Sequence, residues 1–320
     1  MSEPVRWGLL STARINRAIL DGARQSEHTQ VVAVASRDQA RADAYARERG
    51  LERAYGSYEA LLEDDDLDVV YNSLPNSLHV DWSIRALDAG KHVLCEKPLD
   101  RRVEAVERAF DAAERNGRLL MEAFMYRHHP QTRKAAELVR DGAIGELRQL
   151  RSLFSFTLTD EADVRMLPEL DGGALMDLGC YCISMQRLLA GEPDLVFGRQ
   201  RLGGGGVDVG FVGVLQFPGE VFGEFHCGFD LPQGAGLEAI GSKGKLAVAD
   251  PVRCRDPHVV VDGERIDVED VDRYFLQVEN FSAAVRGEAE PLLGPADAMG
   301  QVRTIDALYR SAATGSAERL

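Results

Sequence analysis

Residues 5–37 have the sequence VRWGLLSTARINRAILDGARQSEHTQVVAVASR, in which strand, turn, helix and strand follow one another. The segments Val5–Leu10 and Val31–Ala35 are mostly apolar, as expected of parallel strands covered on both faces. Small and apolar side chains recur between them at helical spacing, at Ile15, Ala18, Ile19, Gly22 and Ala23. This pattern predicts a right-handed strand–helix–strand unit of a doubly wound parallel sheet.

The alternation of strands and helices continues to about residue 123 and then stops. Further strands are predicted at 68–74, 92–95 and 119–122, with helices at 39–49, 79–89 and 102–116. After Phe124 strands dominate, and the exceptions are helices at 131–140, 173–190, 273–286 and 296–313. We therefore expect an α/β protein with an N-terminal Rossmann domain, residues 1–123. An α+β domain, residues 124–320, would carry a large, mostly antiparallel open sheet, and helix 296–313 either stays with it or packs back on the first domain.

Composition excludes several classes of function. The chain has 320 residues and a net charge of −15, which disfavours binding to nucleic acid or to anionic membranes. No apolar run approaches the roughly 20 residues of a membrane span, and residues 1–6 do not resemble a secretory signal. Five scattered cysteines fit reduced thiols, so we expect a cytoplasmic protein; His128 and His129 lack a third ligand, so no metal site is expected.

The turn after the first strand is where a doubly wound sheet binds a pyrophosphate. A full dinucleotide fingerprint has the pattern G-x-G-x-x-G/A, whereas here the pattern is S-x-A-x-x-N. Small residues keep the backbone accessible, and two hydroxyls add donors. The predicted cofactor contacts are Ser11, Thr12, Ala13, Arg14 and Ile15. A tight turn without a ligand is the alternative.

The end of the second strand decides between the two nicotinamide cofactors. An acidic residue there binds the ribose of NAD, whereas arginine accommodates the 2′-phosphate of NADP. The strand ends in Ser36-Arg37, and a hydroxyl beside a guanidinium suits a phosphate. We therefore expect NADP, although Asp38 lies one residue further and would favour NAD.

Several motifs in a fixed order resemble the Gfo/Idh/MocA family of two-domain oxidoreductases. They are Pro75-Asn76 with His79, Cys95-Glu96-Lys97-Pro98, residues 121–127 (MEAFMYR) and residues 172–181 (GGALMDLGCY). Within the family, the chain most resembles the branch of dimeric dihydrodiol dehydrogenase and NADP-dependent D-xylose dehydrogenase. The resemblance implies a cis Lys97–Pro98 bond. It also implies cofactor contacts from Leu74, Pro75, Asn76, His79, Glu96 and Lys97.

The resemblance also supplies catalytic roles. Transfer of a hydride from an alcohol carbon needs a base that takes the hydroxyl proton, and the family implies Lys97 for this role. It implies that Tyr181 shares the proton transfer or binds the reacting oxygen. Asp177 would orient Lys97 or a substrate hydroxyl, and Arg165 is a further candidate for substrate binding. On an α-helix, Asp177 and Tyr181 are four residues apart and share a face, beside a core stripe of Leu175, Leu178, Cys182, Met185 and Leu189.

The predicted function is NADP-dependent hydride transfer at a hydroxyl or carbonyl carbon of a pyranose sugar or a related polyol. The substrate would be an aldose such as D-xylose or a ketosugar. A trans-1,2-dihydrodiol dehydrogenase is the closest alternative, because Lys97 and Tyr181 suit either reaction. A glycosidase that recycles its bound nicotinamide and a non-catalytic NADP sensor are more distant alternatives. The resemblance further implies a homodimer or homotetramer formed through the C-terminal sheet.

Overall fold

A computed structural model describes residues 3–320, so residues 1 and 2 of the predicted N-terminal segment lie outside the described residues. The chain divides into two compact units. The first comprises residues 1–100, 104–125 and 272–298, and the second comprises residues 101–103, 126–271 and 299–320. The boundary at residue 123 stays a prediction, and residues 272–298 group with the first unit although they follow the second sheet in sequence.

The first unit contains a six-stranded parallel sheet in the order β3-β2-β1-β4-β5-β6. Its strands are β1 (Val5–Leu10), β2 (Thr29–Ala35), β3 (Arg53–Tyr55), β4 (Val69–Asn72), β5 (His92–Cys95) and β6 (Leu120–Glu122). This is the strand order of the dinucleotide-binding fold, whose ligands lie beyond the carboxyl ends of the strands, where the order reverses. The predicted Rossmann sheet is confirmed.

The second unit contains a nine-stranded sheet in the order β14-β13-β12-β11-β7-β10-β9-β8-β15. Its strands are β7 (Leu147–Ser155), β8 (Leu195–Leu202), β9 (Asp208–Phe217), β10 (Val221–Gly228), β11 (Gly234–Gly241), β12 (Lys245–Val248), β13 (His258–Val261), β14 (Glu264–Asp267) and β15 (Glu318–Arg319). Only β7 and β10 pair in parallel, so the prediction of a mostly antiparallel sheet is confirmed. Strands β8 and β15 were not predicted.

Helices cover these sheets, and all except the short third one lie close to predicted positions; neither that helix nor strand β3 was predicted. The helices are α1 (Asn16–Ala23), α2 (Gln39–Arg49), α3 (Tyr58–Leu62), α4 (His79–Asp88), α5 (Val103–Arg115), α6 (Pro130–Arg140), α7 (Cys180–Ala190), α8 (Arg273–Val285) and α9 (Pro295–Thr314). Helix α8 completes the first unit by packing on α1 and on the start of β2. There the Trp7 indole donates a hydrogen bond to Ser282 (3.2 Å) and meets the Phe281 ring edge-on.

The predicted helix over 173–190 differs in one respect from the observed one. Its first turn, Leu175–Gly179, is a π-turn, and the α-helix α7 begins only at Cys180. A π-turn contains more residues per turn than an α-helix, so strict α-helical spacing does not apply from Asp177 to Tyr181, and their shared face stays a prediction. The predicted core stripe is buried at Leu175, Leu178, Cys182 and Met185 and half-buried at Leu189. The buried surface is wider than that stripe, because all residues of α7 from Cys180 to Arg187 are buried between β7, β10 and α6.

Candidate active site

The predicted site residues fall into two groups, one in each unit. In the first unit, the turn after β1 is built around Ser11, whose φ of 133° is a value that L side chains rarely adopt. The Ser11 hydroxyl accepts a hydrogen bond from the amide of Ala13 (3.1 Å) and lies 2.9 Å from the hydroxyl of Ser73. Asn16 donates from its side chain to the Ser11 carbonyl (2.7 Å). Ser11 thus adopts the backbone conformation that a glycine of the fingerprint commonly provides.

The other predicted residues of this turn line the start of α1. Thr12, Ala13 and Ile15 are partly exposed, and Arg14 is exposed. Ile15 is the N-cap of α1, and no side chain caps this end of the helix. A helix N-terminus without a side-chain cap favours an anion.

A group of cationic side chains lies at the end of β2, beside this turn. Ser36 is buried and Arg37 is exposed. Arg41, on the first turn of α2, donates a hydrogen bond to the Thr12 hydroxyl (2.8 Å). Burial raises the pKa of the Tyr58 phenol, and the nearby charges of Arg37 and Arg41 oppose that shift. Two guanidinium groups therefore stand together at the position that selects between NAD and NADP.

Asp38, the residue that would have favoured NAD, has a structural role instead. It is the N-cap of α2, and its carboxylate accepts the amide hydrogen of Arg41 (2.8 Å). Aspartate is among the preferred N-cap residues because it satisfies an amide that the helix leaves without a partner. Arg41 was missed by the sequence analysis, because its hydrogen bond to Thr12 joins segments that are distant in sequence.

The predicted contacts after β4 surround His79, which is buried at the start of α4. Its Nε2 lies 2.7 Å from the carbonyl oxygen of Leu74, and its Nδ1 lies 2.8 Å from that of Pro98. Pro75 and Asn76 form the short helical turn between Leu74 and His79. Both ring nitrogens are therefore engaged with backbone, and His79 ties the loop after β4 to the loop after β5.

Lys97 lies two residues after the last residue of β5, at the carboxyl end of the sheet, and is partly exposed. The Lys97–Pro98 bond is cis, as the resemblance implied. Glu96 accepts a hydrogen bond from the hydroxyl of the buried Tyr71, and its other oxygen accepts the amide hydrogen of Lys97 (3.3 Å). Burial, followed by the charge of Glu96, raises the pKa of Tyr274 to about 12. Two tyrosines that the sequence analysis did not identify thus lie near the Glu96 carboxylate.

In the second unit, Asp177 lies in the π-turn and pairs with Arg165. The Arg165 Nε lies 2.8 Å from the Asp177 carboxylate, and its Nη1 lies 3.1 Å from Asp163. Asp177, followed by Asp163, holds the pKa of this guanidinium above its usual range. Arg165 is thus fixed between two carboxylates, and Asp163 is a participant that sequence spacing did not indicate.

Tyr181 lies in the first turn of α7 and is 6% exposed. The rings of Tyr126 and Phe154 meet it edge-on, at centroid distances of 5.8 Å and 5.6 Å. Tyr126 donates a hydrogen bond to Ser184 (2.8 Å), one turn further along α7. Aromatic edge contacts of this kind fix a ring orientation, so the Tyr181 phenol is held by packing on both sides.

Two further observations concern metals and membranes. Within residues 3–320, no three His, Cys, Asp or Glu side chains are grouped in a way that could bind a metal ion. None of the helices in that range combines the length and the apolar character that a membrane crossing requires.

Taken together, the first unit has the strand order and the loop positions of a nicotinamide-dinucleotide oxidoreductase. The family model described as "Oxidoreductase family, NAD-binding Rossmann fold" matches residues 5–124, and the GFO/IDH/MocA C-terminal domain matches residues 132–247. The chain therefore belongs to the Gfo/Idh/MocA family of oxidoreductases, and the predicted family is confirmed.

Similar proteins match over most of their length. D-xylose 1-dehydrogenase (NADP(+)) 2 of Haloferax volcanii is 41% identical, over 98% of this chain and 99% of that protein. Trans-1,2-dihydrobenzene-1,2-diol dehydrogenase of Macaca fascicularis is 35% identical, over 81% and 78%. The crystal structure of KijD10, a 3-ketoreductase from Actinomadura kijaniata in complex with NADP and TDP-benzene, has a TM-score of 0.91 at 33% identity. That match covers 96% of this chain and 98% of KijD10.

Proposed function

We propose that the protein is an NADP-dependent oxidoreductase that transfers a hydride between the nicotinamide and a hydroxyl-bearing or carbonyl carbon of a pyranose sugar. One observation carries the proposal. Lys97, Asp177 and Tyr181 are all present in a chain that matches a D-xylose 1-dehydrogenase (NADP(+)) at 41% identity over nearly its full length. Oxidation of an aldose such as D-xylose is the expected direction, and reduction of a ketosugar is its reverse.

The residues of the first unit fit NADP. Arg37 and Arg41 offer two guanidinium groups to a 2′-phosphate, and the Thr12 hydroxyl is hydrogen-bonded to one of them. The Ser11 turn and the uncapped start of α1 suit a pyrophosphate. The chain is acidic overall, with a net charge of −15, so binding of a polyanion depends on such local cations. When bound, the nicotinamide supplies the hydride acceptor or donor.

The chain's own side chains supply the proton chemistry. In this proposal Lys97 takes the proton of the reacting hydroxyl during oxidation and returns it during reduction. Tyr181, held by two aromatic rings, binds the same oxygen or shares its proton. Asp177, fixed by Arg165, orients a substrate hydroxyl. Glu96 positions the lysine backbone through its bond with the Lys97 amide.

A trans-1,2-dihydrodiol dehydrogenase is the second candidate function. The Macaca fascicularis enzyme with that name is 35% identical, over 81% of this chain. Lys97 and Tyr181 suit the oxidation of a pyranose sugar and of a trans-dihydrodiol equally. A glycosidase that recycles its nicotinamide would consume no free NADP, and a sensor would turn over no substrate.

A substrate screen tests the proposal. The purified chain is mixed with NADP or NAD and with aldoses, polyols or trans-dihydrodiols, and nicotinamide reduction is followed by absorbance; ketosugars are tested with NADPH. We expect steady NADP reduction with a pyranose aldose and a preference for NADP over NAD. Turnover of dihydrodiols alone would favour the second candidate. Absence of any nicotinamide reduction or oxidation would contradict both.

The exposed face of the second sheet supports self-association. Apolar side chains that are 37–52% exposed follow one another on neighbouring strands of this face, at Phe197, Val212, Val214 and Phe222. Monomeric proteins rarely expose a contiguous apolar surface of this kind. We propose that a second copy of the chain covers it, as a homodimer or within a homotetramer. All five cysteines are buried and none of them forms a disulfide, which suits a cytoplasmic location.

Light scattering coupled to size exclusion tests this assignment. Val214→Lys places a charge in the centre of the face and is expected to yield monomers. Val164→Lys, at an apolar residue that is 45% exposed and lies outside the sheet, is the control and is expected to leave the mass unchanged. A wild-type chain that is monomeric at micromolar concentration would contradict the proposal.

A further inference from the structure

A buried carboxylate meets the start of the segment that carries Asp177 and Tyr181. Asp208, the first residue of β9, is 3% exposed. Its Oδ2 accepts the amide hydrogen of Leu175 (2.6 Å), the first residue of the π-turn, and its Oδ1 accepts the hydroxyl hydrogen of Tyr309 (2.9 Å). The carboxylate therefore joins β9, α9 and the π-turn within the second unit.

The π-turn has no cap of its own. Ala174 occupies its N-cap position and provides no side-chain acceptor. A local N-cap residue would normally satisfy an amide there, and Asp208 does so from 33 residues away. Gly173, with φ of 129°, makes the approach possible, because a Cβ at that position would overlap the Asp208 Oδ1. The absence of a side chain at Gly173 thus leaves room for the Asp208 carboxylate beside the start of the π-turn.

Further contacts fix the groups that surround the Asp208 carboxylate. The guanidinium of Arg101 stacks over the Tyr309 ring at 4.5 Å and lies 3.9 Å from Asp171. The thiol of Cys227 donates to the Ala174 carbonyl (3.4 Å), on the other side of the same turn. Tyr309, Arg101 and Cys227 are the titratable or charged groups that act on Asp208 from neighbouring elements.

We propose that Asp208 is a positioning residue that fixes the π-turn, and thereby the placement of Asp177 and Tyr181 toward the sugar. The inference rests on the proposed function, because the roles of Asp177 and Tyr181 belong to it. Asp208 touches no reacting atom in this scheme. It acts through the Leu175 amide, which lies two residues before Asp177.

The first measurement does not depend on a substrate. Hydrogen–deuterium exchange of residues 174–181 is compared between the wild type, Asp208→Ala and Asp208→Asn. Loss of a hydrogen bond to a charged group corresponds to an increase in amide exchange of about 10-fold to 100-fold, which is expected for Asp208→Ala. Asparagine retains an acceptor for the Leu175 amide, so Asp208→Asn is expected to stay within about threefold of the wild type.

Two variants complete this comparison. Asp208→Leu fills the space that alanine leaves open and serves if Asp208→Ala does not fold. Asp64→Ala is the matched control, because Asp64 accepts a tyrosine hydroxyl in the same way, from Tyr55 (2.7 Å), in the first unit. It should leave exchange of residues 174–181 unchanged. Unchanged exchange in Asp208→Ala and Asp208→Leu, or an equal rise throughout the second unit, would overturn the inference.

The second measurement links Asp208 to the chemistry through a double-mutant cycle. Asp208→Ala is expected to lower kcat by at least about 10-fold and to leave the NADPH dissociation constant within about threefold. In a Tyr181→Phe background, Asp208→Ala should lower kcat far less, because the Tyr181 hydroxyl that it would misplace is already absent. Equal losses in both backgrounds would refute action through Tyr181. If the wild type oxidises no sugar, the proposed function fails, whereas the exchange experiment still decides the position of the turn.

Discussion

The charge of Asp208 should leave a measurable pH signature in stability, and Asp208→Asn removes it. Burial raises the pKa of this carboxyl in the folded chain from its ordinary 3.8 to about 6. The folded state therefore keeps its proton between these two pH values while the unfolded chain has lost it. Stability falls with rising pH wherever the folded state binds more protons. This group thus reduces the free energy of unfolding as pH rises from about 4 to about 6, and the reduction is complete above that range.

The magnitude follows from the two pKa values. Each pKa unit corresponds to about 1.4 kcal/mol, so the full effect of the buried charge is about 3 kcal/mol at neutral pH. At pH 4.5 the same group already lowers the free energy of unfolding by about 1 kcal/mol. Between pH 4.5 and pH 7.5, Asp208→Asn should therefore gain about 2 kcal/mol in unfolding free energy relative to the wild type.

Urea unfolding followed by circular dichroism at several pH values measures this difference. Tryptophan fluorescence is a poor probe here, because Trp7 and Trp82 both lie in the first unit. All other titrating groups are common to the two proteins and cancel in the subtraction. A difference that stays constant from pH 4.5 to pH 7.5, or that changes in favour of the wild type, would refute the reasoning.

Three further predictions concern the first unit. Lys97→Ala should abolish hydride transfer while the NADPH dissociation constant, measured by titration calorimetry, stays within about threefold; unchanged turnover would remove the catalytic assignment. Arg37→Ala and Arg41→Ala should each raise the dissociation constant for NADPH by about 10-fold to 100-fold and that for NADH by far less. Equal effects on the two dissociation constants would exclude a 2′-phosphate role for these arginines. Gly22→Ala should lower the free energy of unfolding by about 1–3 kcal/mol, because the added Cβ would lie 2.7–2.8 Å from backbone atoms of α8. Gly294→Ala is the control in denaturant unfolding, because open space surrounds that glycine. Equal free energies of unfolding for Gly22→Ala and Gly294→Ala would contradict the packing argument.

The parts of the fold that depend on local pattern were predictable from the sequence. Continuous apolar strands separated by helices identify a doubly wound sheet, and the Asp262-Gly263 turn identifies the last hairpin of the second sheet. Strand β8 was not predicted because its sequence, LVFGRQRL, lacks a sustained alternation of apolar and polar residues. The π-turn was not predicted for a different reason. Its geometry depends on Asp208, which is distant in sequence and carries no pattern of its own.

The candidate site shows the same division. Arg37 and Lys97 are found at strand ends, where chain position alone suggests a function. Ser11 was identified, but its positive φ depends on side chains from Asn16 and Ser73. Arg41 and Asp163 act through partners that neither spacing nor composition specifies. Contacts between distant segments were therefore the part that the sequence alone could not predict.

Helix α8 also has a consequence for the order in which the protein can be made. It packs on α1 and binds Trp7 through Ser282, yet it begins 150 residues after the last strand of the sheet that it completes. Domains generally fold as they leave the ribosome, from the N-terminus onward. A nascent chain that ends near residue 123 still lacks this helix, so the Trp7 side of its sheet remains uncovered. The dinucleotide-binding unit therefore matures only when nearly the whole polypeptide has been synthesised, and a fragment cut after β6 would expose apolar surface and aggregate.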